Sequence, residues 1–253
     1  MNRPEVRVSG GATIREDEPV ALDQLAALRR STYEVLGSLF LYPDDQRVTS
    51  SAATAAELRR QSDLAGAFPY AQRWQSLLDS LENLDTQSIG RLQEEHVKLF
   101  LFGGDRAACP PYESAYLGRS GGVRGIVAAR VERVYAGAGL RLSASMTGEL
   151  PDHVALELEF LSLLCAEEDR CWRDGQPAQA SGWLERQGSF LGEHLGRWFP
   201  LLARCVSTCA DPASLYRQLV DTTGAFLVHD GDLIGALMEA HSQAQEPHPG
   251  AQL

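Results

Sequence analysis

The chain has 253 residues, 44% of them hydrophobic and 23% charged, enough for one large domain or two small ones with a substantial core. Its 34 acidic residues outnumber 23 Lys and Arg, giving a formal charge of −11. That balance disfavours nucleic acid, whose phosphates are bound by clustered Lys and Arg, and suits cationic partners such as basic peptides.

Residues 1–18 are polar and charged, with no apolar core of an export signal, and read as a disordered tail. No later stretch approaches the ~20 apolar residues that cross a bilayer, so the expected compartment is the cytoplasm. From Pro19, Leu22, Leu25, Leu28, Leu36, Leu39 and Phe40 recur near helical spacing until Pro43 stops the pattern. Arg29-Arg30 lies within this amphipathic pattern and reads as a solvated helix face, not as a twin-arginine signal. Further helices are expected at 46–64, 69–84 and about 86–102, closed by Gly103-Gly104. A non-helical segment from Asp105 to about Arg119 follows, then a helix from Val123 to the Gly137/Gly139 pair and a loop over 138–150.

Pro151-Asp152-His153 opens a helix that is apolar nearly all round as far as Trp172, so it should be central and buried. Helices over about 178–209, 212–227 and 230–244 complete the pattern, with Pro200 expected to kink or break the first. No period-2 alternation flanked by turns occurs. The expectation is therefore a single all-α domain of about eight to ten helices over 19–244, with 245–253 a frayed tail.

Five cysteines (Cys109, Cys165, Cys171, Cys205, Cys209) are expected to stay reduced in the cytoplasm. Cys205 and Cys209 share a helical face, but no second ligand pair lies nearby in sequence, which favours packing over metal binding. No phosphate loop, nucleophile elbow or zinc signature is present.

Two segments could form a site. Pro110 and Pro111 stiffen the backbone before Tyr112, Glu113, Ser114, Ala115 and Tyr116, a polar-aromatic run that can either anchor a loop or receive a ligand. Asp152 and His153 stand at the start of the central helix, where Asp suits a helix cap. His153, Glu157 and Glu159 could supply half of a metal site in a helical bundle, although the second Glu-x-x-His motif that such sites use is missing.

Taken in order, Tyr33–Phe40 followed by Pro43, then Pro111–Tyr116, then Pro151-Asp152-His153 running into Glu157–Leu161, and finally Phe190-Leu191 through His194-Leu195 to Trp198, resemble the TorD/DmsD/NarJ family of molybdoenzyme-maturation chaperones. The match covers about residues 30–200. The resemblance implies an all-helical protein without cofactor or catalysis. It implies binding to the twin-arginine signal or N-terminal region of a molybdopterin oxidoreductase subunit, which is held in the cytoplasm during cofactor insertion and assembly. It also assigns the peptide-binding surface to Tyr112, Glu113, Ser114, Asp152 and His153. The rival readings are a helical metalloenzyme built on His153, Glu157 and Glu159, and a helical scaffold with no peptide groove.

Overall fold

A computed structural model describes residues 5–6, 20–60, 68–101, 109–118, 124–139 and 148–245. Among them are ten α-helices: α1 Leu22–Leu39, α2 Asp45–Arg60, α3 Ala71–Glu82, α4 Thr86–His96, α5 Glu113–Leu117, α6 Arg124–Gly137, α7 Val154–Arg173, α8 Pro177–Glu193, α9 Leu195–Cys209 and α10 Leu215–Gln245. A π-helical turn, Val97–Leu101, extends α4. The β structure among the described residues is limited to a two-residue antiparallel pairing of Glu5–Val6 with Val20–Ala21 and one isolated bridge, Tyr112 with His153. The all-α expectation holds.

The apolar stripe of α1 explains its place. Leu25, Ala26, Tyr33, Val35 and Leu36 are all buried, and α1 packs along α7. In turn, α7 is the central helix that its composition predicts, with Val154, Ala155, Leu158, Leu161, Leu164 and Cys165 fully buried. Its other neighbour is α8, while α10 packs on α8, α9, α3 and α1. The short α5 sits between α6 and α9.

Four expectations are corrected. Arg29 is not on a solvated face: it is buried, and its guanidinium donates to Asp230, Glu168 and Gln187, whereas Arg30 is exposed and pairs with Glu34. The segment before Arg119 is not wholly non-helical, since α5 occupies 113–117. The break within 178–209 falls at His194 (φ −123°, ψ −99°), and Pro200 lies inside α9. The corner is tight because Gly196 has no Cβ; one built there would lie 2.6 Å from the Leu191 carbonyl oxygen. Finally, 212–227 and 230–244 are one 31-residue helix, α10. Asp230, at the expected break, is held inside the helix bundle by Arg29 and by the Tyr33 hydroxyl at 2.6 Å.

Candidate functional site

The five predicted residues meet. Pro111-Tyr112 and Asp152-His153-Val154 run antiparallel: Glu113 N donates to the Asp152 carbonyl (2.9 Å) and Val154 N to the Pro111 carbonyl (2.9 Å). The two prolines leave no competing N–H on this strand-like lead-in and keep it extended. Tyr112 packs edge-on against the His153 ring with centroids 4.9 Å apart, and its hydroxyl donates to Glu149 at 2.5 Å.

The caps are arranged differently from the sequence expectation. His153, not Asp152, caps α7, its Nδ1 accepting from Ala155 N at 3.1 Å. Asp152 instead accepts from Ser114 N at 2.9 Å and so satisfies the start of the neighbouring α5, which its N-cap residue, Tyr112, does not cap with its side chain. One carboxylate thus ties the two motifs together.

Beneath this bridge lies a buried polar layer that the sequence reading did not assign to the site. His194 Nδ1 pairs with Glu113 Oε2 at 2.8 Å, and Trp198 Nε1 donates to Glu157 Oε2 at 2.8 Å. His194, at the α8–α9 corner, and Trp198, four residues on, thus each hold one acid of this layer. The Phe-Leu-x-x-His-Leu-x-x-Trp spacing was visible, and its periodicity was the available signal. Burial, then the adjacent Glu113, pushes the Glu157 carboxyl well above the usual carboxylate range against the opposing Trp198 bond. Burial also lowers His153 to about 3 and His96 to about 4, so both favour the neutral imidazole.

The trio of the rival metalloenzyme reading has other employment. His153 caps α7 and Glu157 receives Trp198; among the described residues, their ligand atoms and that of Glu159 do not converge on one point.

Four of the five predicted residues are buried: Glu113, Ser114, Asp152 and His153. Only Tyr112 is partly exposed. What reaches solvent around them is an apolar rim. Tyr42 and Leu150 are exposed, Tyr42 packs on His96 with centroids 5.6 Å apart, and Leu150 adjoins Glu149. Glu149, bonded to Tyr112 and next to Leu150, lies near His96, on which Tyr42 packs. The bridged motifs are thus mostly buried and hold the partly exposed Tyr112 in place. A separate groove of about 840 Å³ lies between α8, α9 and α10, lined by Gly188, Gly192, Gly224, Leu191 and Val228, and contains none of the five residues.

The cysteines also depart from expectation. Cys109, just before the two prolines, is joined in a disulfide to Cys205 of α9. Spacing along the chain gave no sign that the Cys109 segment packs on α9, 96 residues away.

The fold and the bridged motifs together define an all-helical protein with a supported, partly apolar surface. Residues 65–204, more than half of the chain, match the nitrate reductase delta subunit family. The chain is 29% identical to the chlorate reductase assembly chaperone protein of Ideonella dechloratans, over 69% of this chain and 81% of that one. It is also 29% identical to the selenate reductase assembly chaperone protein of Thauera selenatis over the same shares. The chaperone protein TorD of Vibrio cholerae is 26% identical over 83% of this chain and 94% of its own. A crystal structure described as a redox enzyme maturation protein from Archaeoglobus fulgidus superposes with a TM-score of 0.51 at 24% identity, covering 79% of this chain and 93% of that one, and so shares the fold. The chain belongs to the nitrate reductase delta subunit family, which includes the TorD and NarJ chaperones.

Proposed function

We propose that this protein is a cytoplasmic, non-catalytic assembly chaperone. It binds the N-terminal, twin-arginine-bearing region of a molybdopterin oxidoreductase subunit and holds that subunit until cofactor insertion and assembly are complete. The observation that carries this reading is the partly exposed Tyr112, held by the bridge between 111–114 and 152–154 and bonded to Glu149, with exposed Leu150 beside it and exposed Tyr42 nearby. The names of the relatives, assembly chaperones of oxyanion reductases and TorD, support the kind of partner. Among the described residues, no helix is long and apolar enough to cross a membrane.

A twin-arginine region offers two cations followed by an apolar segment. An apolar rim next to a carboxylate suits both. Burying three large apolar side chains yields a gross ~5–9 kcal/mol. Exposed ion pairs add ~0–1 kcal/mol each, and ordering the peptide costs ~2–5 kcal/mol. Apolar contact therefore sets the affinity and Glu149 the orientation, with binding near micromolar, about 8 kcal/mol.

The test is titration of a synthetic client N-terminal peptide and its scrambled copy. Leu150→Asp should weaken binding of the true sequence at least tenfold, while Val228→Asp, in the separate groove, leaves it unchanged. Equal binding of the scrambled peptide defeats the reading. Loss confined to Val228→Asp moves the binding surface to the groove between α8, α9 and α10. Co-purification from the native organism, followed by identification of the bound subunit, then names the client.

A further inference from the structure

Three sulfurs meet at the root of the candidate site. The ligand atoms of Cys109, Cys205 and Cys209 all lie within 4.8 Å of one another. Cys109 and Cys205 are bonded; Cys209, one helical turn beyond Cys205 at the end of α9, carries the third sulfur. Cys109 is fully buried, whereas Cys205 and Cys209 are half-buried. Cys209 ends the helix on which α5 packs, and both it and Tyr116 of α5 lie against the core there.

We propose that Cys109, Cys205 and Cys209 form a thiol–disulfide exchange site that ties and unties the segment carrying Tyr112–Ser114. A disulfide is exchanged by a thiolate attacking one of its sulfurs, at a rate governed by access and proximity. Cys209 is the thiol at hand, and Cys205 is the more accessible sulfur of the pair. The Cys209 thiolate attacks Cys205 Sγ, forming a Cys205–Cys209 bond as the Cys205–Cys109 bond breaks. The electron pair leaves on Cys109, which takes up the proton that Cys209 gave to solvent. No net oxidation occurs. The new bond joins residues four apart in the last turn of α9, where regular helix geometry sets the Cβ atoms about 5–6 Å apart against the ~4 Å of a disulfide, so the helix end at Cys209 must shift to close it. An external dithiol then reduces Cys205–Cys209 with two electrons and two protons, becoming a disulfide itself, and leaves all three cysteines as thiols.

The consequence lies in the geometry. Cys109 is three residues before Tyr112, and its amide donates to the Leu99 carbonyl at 2.6 Å. While Cys109 is bonded to α9, the segment entering the site is fixed at a covalent anchor. Once it is released, non-covalent contacts alone hold that segment: the Leu99 bond, the backbone bridge to 152–154, the Asp152 cap and the side-chain bonds of Tyr112 to Glu149 and Glu113 to His194. A reducing cytoplasm acts on a disulfide through its accessible sulfur, here the half-buried Cys205, and a third thiol alongside offers a further route to exchange. The exchange does not depend on the peptide-binding reading; only its effect on a client does.

Trypsin separates the two bonding states cleanly. It leaves Cys109 on peptide 107–119 and both Cys205 and Cys209 on peptide 205–217. The full-chain protein, oxidised and equilibrated at pH 8, is quenched in acid, its free thiols are capped with a maleimide under denaturing, mildly acidic conditions, and it is then digested and weighed by mass spectrometry. Two forms are expected: 107–119 linked to 205–217, and 205–217 closed on itself beside a capped 107–119. Cys209→Ser, at a half-buried helix end, should retain the fold by circular dichroism and show the linked form only. In a dithiol buffer, its link should be reduced about tenfold more slowly than the parent's, since the neighbouring thiol is lost. Amide exchange over 109–117 should rise when Cys109 is released, both in the parent and in Cys109→Ser. The proposal falls if the parent shows only the linked form and Cys209→Ser is reduced at the same rate. It falls equally if amide exchange over 109–117 is the same in both states. One equivalent of zinc shielding all three thiols from alkylation would make the cluster a metal site instead. None of these measurements uses a client peptide, so failure here is distinct from failure of the binding assignment.

Discussion

His153 holds the start of α7 only as a neutral imidazole, since its Nδ1 must accept from Ala155 N. Burial lowers it from the ordinary 6.5 to about 3. As pH falls below 6.5 the unfolded chain takes up this proton and the folded chain does not, so the stability present above 6.5 is lost progressively toward pH 3. The slope from this one group is at most ~1.4 kcal/mol per pH unit. Asn caps helices well, so His153→Asn should flatten the dependence of unfolding free energy on pH between 6.5 and 4, measured by urea titration. An unchanged slope would assign the acid sensitivity elsewhere, with His96 the next candidate. Arg29 makes a sharper case. Arg29→Leu strands the carboxylates of Glu168 and Asp230 in the core and should cost ~3–5 kcal/mol, whereas Arg30→Ala should fall within ~0.5 kcal/mol. Adjacent arginines look alike in sequence; which one turns inward is decided by acids 139 and 201 residues away. Residue types at the site were legible for the same reason in reverse. Tyr112, Asp152 and His153 stand at local turning points of the chain, but the partner that Asp152 caps is non-local.

At the scale of elements, α1 and α7 approach so closely that Gly37 has no room for a side chain. A Cβ there would meet Leu158 Cβ at 3.2 Å and the Ala155 carbonyl oxygen at 3.3 Å. Gly37→Val should therefore destabilise by ~1–3 kcal/mol through overpacking. Gly90, on the open face of α4 with nothing within 4 Å, gives the opposite sign: Gly90→Ala should stabilise by ~0.5–1 kcal/mol. Thermal and urea unfolding of the two variants check both signs. Periodicity located nearly every helix, and α7 lies where its all-round apolar composition put it. It placed breaks less well, because Pro and Gly were read as local punctuation. Pro200 sits inside α9, and the chain turns at His194, where the pairing with Glu113 and the bare Gly196 supply the reason. Likewise, α10 continues past Gly231 because its neighbour Asp230 is pinned from within the core.

For the molecule as a whole, a charge of −11 would attract a cationic peptide of the proposed kind from a distance but is screened within ~8 Å at physiological salt. Raising salt should slow association and weaken client-peptide binding only a few-fold. Replacing the peptide's apolar residues with Ser should weaken it more. Calorimetric titration at low and high salt ranks the two, and binding abolished by salt but indifferent to the Ser substitutions would reverse the ranking. The Arg29 cluster bears on a different property, the time the fold survives. One guanidinium joins α1 to α7, α8 and α10 through bonds that close 139, 158 and 201 residues of chain. Loops of that length close late, after local helix pairs have formed, so these bonds are largely absent at the folding barrier. Their loss should appear in the unfolding rate while the refolding rate stays near that of the parent. The cluster thus acts as a clasp: it adds little to the speed of folding, and it governs how rarely the bundle springs open.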